Sequence, residues 1–139
     1  MFDLATLAQS DSALMTVRHP GTGEELTDDE GKLVTVKLAG PGHPRYVQHR
    51  NRALRRSLRR ARLNADIDDP AEVVEYNTQQ LVDLTLDWHG IALDGEVLAC
   101  TPENVKRVYD DNRFAWLKTQ VNDFVGRESS FITGSATRS

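Results

Sequence analysis

Cysteine is nearly absent from this chain. Cys100 stands alone among 139 residues, so no disulfide can form within it, which fits a reducing compartment. Long apolar runs are missing too, and none approaches the length a bilayer-spanning helix needs. The first ten residues lack the basic start and apolar stretch of a secretory signal. The cytoplasm is therefore the expected location. Metal-ligand spacing is also lacking: the four histidines (His19, His43, His49, His89) are scattered, and no metal site is expected. Cys100 has no nucleophile signature around it and reads as a buried structural cysteine. The paired acids Asp28-Asp29-Glu30 and Asp110-Asp111 are adjacent rather than opposed. Gly21 and Gly23 sit in an acidic turn that would repel phosphate. These absences lead to an expectation of no catalytic residues, no cofactor and no enzymatic activity.

What is present is ordinary in amount but segregated. Charged residues make up 27% and hydrophobic residues 39%, which suits one soluble α+β domain over residues 1–131 with a polar tail over 132–139. The net charge of -4 hides a strong division. Between His43 and Ala65 there are eight arginines and no acid; between Asp66 and Asp111, twelve acids stand against Lys106 and Arg107. Such a dipolar chain bears on association rather than fold.

Period-two alternation through Ala13, Met15 and Val17, and again through Val34, Val36 and Leu38, predicts a β-hairpin over 13–38. Its connection, Pro20 to Lys32, is long and should include a short excursion around Leu26. A two-stranded ribbon is marginal in water, so a helical body over 44–131 must cover it. The first helix is predicted over 45–64, with Val47, Leu54, Leu58 and Ala61 as its inner stripe. Asp69-Pro70-Ala71-Glu72 starts a second, running to about Trp88, with Val74, Asn77, Leu81, Leu84 and Trp88 inward, Val73 and Val82 beside them, and Gly90 as terminator. Ile91–Cys100 reads as a loop turning at Asp94-Gly95. Two further helices are predicted, from Thr101-Pro102 to about Tyr109 and from Phe114 to about Glu128. Leu117, Val121, Phe124 and Val125 form the apolar face of the last. Phe2, Leu4 and Leu7 suit an apolar turn docked on the body.

Clustered arginine on one helix is an electrostatic footprint of nucleic-acid binding, but the net negative charge and the scarcity of stacking aromatics beyond Tyr46 favour pairing with carboxylates of this chain or a neighbour. Arg52, Arg56, Arg59 and Arg60 are the candidate contacts for self-association or a client. Phe114 and Trp116, two apart on one predicted helix, point different ways, so one of them should lie at an interface; Phe131, which anchors the tail, is a further candidate contact for self-association or a partner.

Three stretches resemble the tail assembly chaperones of long-tailed bacteriophages. Thr16-Val-Arg-His-Pro-Gly-Thr-Gly-Glu-Glu-Leu26 with Gly31–Gly40 is similar to their strand, HPxTGE, strand opening. Leu86-Asp-Trp-His-Gly-Ile-Ala-Leu-Asp-Gly-Glu96 is similar to their Trp-x-Gly…Asp-Gly-Glu loop. Thr101-Pro-Glu-Asn104, then Ala115-Trp-Leu-Lys-Thr-Gln-Val-Asn-Asp-Phe-Val125 and Ser130-Phe131, is similar to their closing pattern, with Ser130 where the family carries Asn. The resemblance implies a non-enzymatic protein of the host cell cytoplasm that binds the tape-measure protein, multimerises, and is absent from the mature virion. It also implies a longer frameshifted form that recruits the tail tube protein. A permanent virion component of the tail or connector, and a nucleic-acid-binding protein using the Arg45–Arg62 helix, remain as alternatives.

Overall fold

A computed structural model describes residues 1–7, 11–63 and 70–127. The expected tail, Phe131, the Asp69 cap, the stop at Asn64 and the helix end at Glu128 lie outside the described residues.

The hairpin forms as read. β1 (Ser12–Thr16) and β2 (Thr35–Ala39) run antiparallel, with Ser12 opposite Ala39 and Thr16 opposite Thr35. Their alternation buries Ala13, Met15, Val36 and Leu38 and leaves Leu14 and Lys37 exposed. The excursion around Leu26 is stitched beyond the hairpin's end: Leu26 N–H donates to Val17 O, and Val34 N–H donates to Leu26 O, each at 2.9 Å.

The second predicted helix is shorter than expected. α1 (Pro44–Leu63) and α2 (Pro70–Leu84) form, but Thr85–His89 leaves the helix as β3 and pairs antiparallel with β2. The sheet is thus three-stranded, with β2 central. Leu81, Leu84 and Trp88 fit a helical stripe, but Leu86 and Trp88 also alternate with the polar Thr85, Asp87 and His89; a register slip opposite Lys37 and Leu38 accompanies the burial of Thr85 beside Trp88. Tertiary context decides between the two periods, because the free edge of β2 offers unpaired backbone groups that a third strand satisfies. Thr85 Oγ1 marks the switch by donating to Leu81 O, four residues back, at 2.7 Å. The inner face of α2 is also displaced: Thr78, Leu81, Val82 and Leu84 are buried, whereas Val73, Val74 and Asn77 are exposed.

The predicted loop after β3 holds a miniature ladder, β4 (Ala92–Leu93) and β5 (Glu96–Val97). Asp94 and Gly95 both have positive φ (52° and 84°), as a two-residue hairpin turn of the primed kind requires. Gly90 (φ 81°) ends a strand rather than a helix, and a Cβ there would meet Val34 Cγ2 at 3.1 Å. α3 (Pro102–Asp110) starts where expected, with Thr101 Oγ1 accepting from Asn104 N–H at 3.2 Å and Pro102 in its first turn. A 3-10 turn over Asn112–Phe114 precedes α4 (Ala115–Val125).

The core lies between the inner face of the sheet and α2, α3 and α4, where Val36, Leu38, Val105 and Val121 are almost wholly buried. The N-terminal turn exists at Leu4–Leu7, but Phe2 and Leu4 are exposed rather than docked. No described helix is long and apolar enough to cross a membrane.

Candidate functional site: the outward face of α1

The largest departure from the sequence-based expectation is the orientation of α1. Its half-buried residues are Tyr46, Val47, His49, Ala53, Arg56 and Arg60. All but Val47 recur every three or four positions along one side, and that side meets α2. Arg52 Nη1 lies 3.2 Å from Asp83 Oδ2, and the Arg56 guanidinium sits 4.0 Å from the centroid of the Tyr76 ring. The predicted inner stripe lies roughly 140° further round the helix at 3.6 residues per turn. It faces out: Leu54 is 59% and Leu58 61% exposed, Ala61 is exposed, and only Val47 is half-buried.

The reason lies in what α2 offers. Its side toward α1 carries Tyr76, Gln79 and Asp83, an aromatic face and hydrogen-bonding groups that suit guanidinium groups better than leucines. Gln79 Nε2 donates to Asp83 Oδ1 at 3.0 Å and holds that carboxylate toward Arg52. α1 therefore turns its arginines inward on one flank and presents its apolar stripe to solvent. Of the arginines singled out from the sequence, Arg52 and Arg56 engage α2 of the same chain, Arg60 is half-buried on that side, and Arg59 is exposed. Arg50, Arg55 and Arg62 are exposed beside the outward stripe, and among the described residues no ion pair holds them.

Where α1 crosses the body, a recess of about 310 Å³ is lined by Arg45, His49, Arg52, Asp83, Cys100 and Thr101. Burial, reinforced by Arg52, holds the His49 imidazole below its ordinary pKa, and burial pushes the Cys100 thiol up. Both groups are thereby kept uncharged near neutral pH. Cys100 is half-buried rather than fully buried. Among the described residues no three His, Cys, Asp or Glu side chains are grouped to hold a metal ion.

A second recess of about 240 Å³ is apolar, lined by Val17, Leu26, Val34, Ile91, Leu93, Phe114 and Trp116 among others. Phe114 belongs to the 3-10 turn and Trp116 to the first turn of α4, so the two do converge on one recess, both half-buried. Phe114 precedes the helix, so helical spacing does not separate the two rings.

The stretches that carry the family resemblance fasten the fold together. Gln120 of α4 acts as a surrogate strand for Arg18: Arg18 N–H donates to Gln120 Oε1 at 3.0 Å, and Gln120 Nε2 donates to Arg18 O at 2.8 Å. His19 Nδ1 accepts from Gly21 and Thr22 N–H, closing the turn of the first stretch. His89 Nε2 meets Asp28 Oδ2 at 2.9 Å, tying the second stretch to the connection between the two parts of the first. Trp88 Nε1 donates to Leu98 O at 2.8 Å, and Asn104 Nδ2 donates to Ala99 O at 2.9 Å. No family model, curated protein or solved structure matches this chain.

Proposed function

We propose that this protein is a tail assembly chaperone of a long-tailed bacteriophage, working in the host cytoplasm without chemistry of its own. In this reading it binds the tape-measure protein, associates with further copies, and leaves before the virion is complete. A longer frameshifted form would bring in the tail tube protein. Support comes from the order and content of the three resembling stretches, the first and third of which meet through the paired hydrogen bonds of Arg18 and Gln120. The observation that carries the reading is the outward face of α1. Leucines exposed beside Arg50, Arg55 and Arg62, which no ion pair holds among the described residues, form a surface suited to protein, with an apolar centre and a charged rim. A nucleic acid would use the rim but leave Leu54 and Leu58 in water.

Quantitative mass spectrometry of infected-cell lysate and purified virions, together with co-purification of the tape-measure protein, tests this. Abundance in lysate, capture of the tape-measure protein and absence from particles are expected. Stoichiometric presence in particles would refute shedding and favour a permanent tail or connector component. Failure to capture the tape-measure protein would refute the chaperone role.

A further inference from the structure

The outward face of α1 has a stricter pattern than an apolar patch. Val47, Asn51, Leu54, Leu58 and Ala61 are spaced four, three, four and three apart, the core spacing of a two-stranded coiled coil, over about 21 Å at 1.5 Å per residue. Asn51 is exposed and stands where a single polar residue fixes register in such pairs. The positions that border this seam hold Gln48, Arg50, Arg55, Ser57 and Arg62. Three are arginines, none is acidic, and α2 occupies the opposite side of the helix. α1 thus carries coiled-coil core spacing on a face turned away from α2.

We infer that this seam docks an amphipathic helix with acidic flanks, supplied by a different protein. The inference rests on the reading of the chain as a protein-binding assembly factor and gives its client contact a chemistry. Charge decides against a second α1: whether the copies ran parallel or antiparallel, arginine would meet arginine along the border. The exposed Val73 and Val74 of another copy's α2 are a poor substitute, because they span a single turn beside Glu72 and leave most of the seam uncovered. A partner with leucine-like residues at the seam, asparagine opposite Asn51 and glutamate on both borders buries the leucines and answers Arg50, Arg55 and Arg62 together.

The test uses the full chain and a fluorescent synthetic peptide of about three heptads, with leucine at the seam, one asparagine and glutamate borders. Controls are the same peptide with lysine borders and a scrambled sequence. Anisotropy should show binding of the glutamate peptide alone. Leu54→Asp with Leu58→Asp, both at exposed positions and checked for folding by circular dichroism, should weaken it by about thirtyfold or more, the loss of a central anchor pair. Arg50→Glu, Arg55→Glu and Arg62→Glu together should reverse the preference toward the lysine peptide. Binding of the scrambled peptide, or binding unmoved by these substitutions, overturns the inference. So does a dimer in sedimentation velocity without peptide that the leucine substitutions abolish, which would make a second copy the occupant. Duplex DNA binding through the arginines, indifferent to Leu54 and Leu58 and excluding the peptide, also overturns it. Peptide binding without capture of the tape-measure protein would defeat the chaperone role and leave the seam standing; capture without peptide binding would do the reverse.

Discussion

Gln120 is the side chain whose removal best tests how this fold is closed. It exchanges two hydrogen bonds with the backbone of Arg18, at 3.0 and 2.8 Å, in a half-buried position. Gln120→Ala removes both, leaving an N–H and a C=O to incompletely placed water. Two bonds at about 0.5–1.5 kcal/mol each, at half burial, put the loss near ~2 kcal/mol, on the order of 8 °C in Tm for a chain of this size. Gln120→Glu separates the two bonds. One carboxylate oxygen still accepts from Arg18 N–H, but the other faces Arg18 O, and two acceptors repel. At neutral pH the glutamate variant should be at least as unstable as the alanine one. Because the protonated acid can donate where the carboxylate cannot, its folded pKa lies above the unfolded value of about 4.3. Its deficit should therefore shrink as pH falls below neutrality, relative to wild type at each pH. Urea denaturation across pH measures this, and amide exchange at Arg18 reports the contact directly. A loss below about 0.5 kcal/mol in Gln120→Ala, or a glutamate variant as stable as wild type at pH 7, refutes the account.

Other perturbations distinguish the observed orientation from the one the sequence suggested. Leu81→Ala, at a position only 4% exposed, should cost about 2–5 kcal/mol, whereas Leu58→Ala should stay within roughly 0.5 kcal/mol; equal costs in denaturation would return Leu58 to the core. Trp88→Phe keeps a ring in place but strands Leu98 O, so a loss of about 1–3 kcal/mol is expected, readable by thermal melting. The His49 pKa is lowered by burial, then by Arg52, so the folded state resists a proton that the unfolded chain accepts. Its contribution is complete above pH 6.5 and is lost as pH falls below that value toward the depressed folded pKa. His49→Gln should flatten stability over that window, and an unchanged slope would contradict it.

Local chemistry was legible in the sequence. The alternation around Met15 and Val36 gave the hairpin, Thr101-Pro102 gave the start of α3, and Asp94-Gly95 gave a turn. Two misreadings share a cause. Thr85–His89 satisfies helix and strand periods at once, and only the open edge of β2 chooses between them. An inward stripe on α1 presumes that apolar residues face the body, while the side that meets α2 is held by a cation over Tyr76 and an ion pair to Asp83. Neither partner is visible from α1 itself. The face of greatest functional interest was thus present in the sequence as a pattern, but its direction was not. Gln120 had no local signal, since its partner lies 102 residues away.

That separation has a consequence during synthesis. At roughly 5–20 residues per second, the ribosome takes on the order of 5–20 s to supply Gln120 after Arg18 has been made. β3 arrives in the meantime, but the inner face of the hairpin waits for α3 and α4 to cover it. A nascent chain of this protein therefore carries an uncovered apolar sheet for seconds, and its folding completes only when the last helix has emerged.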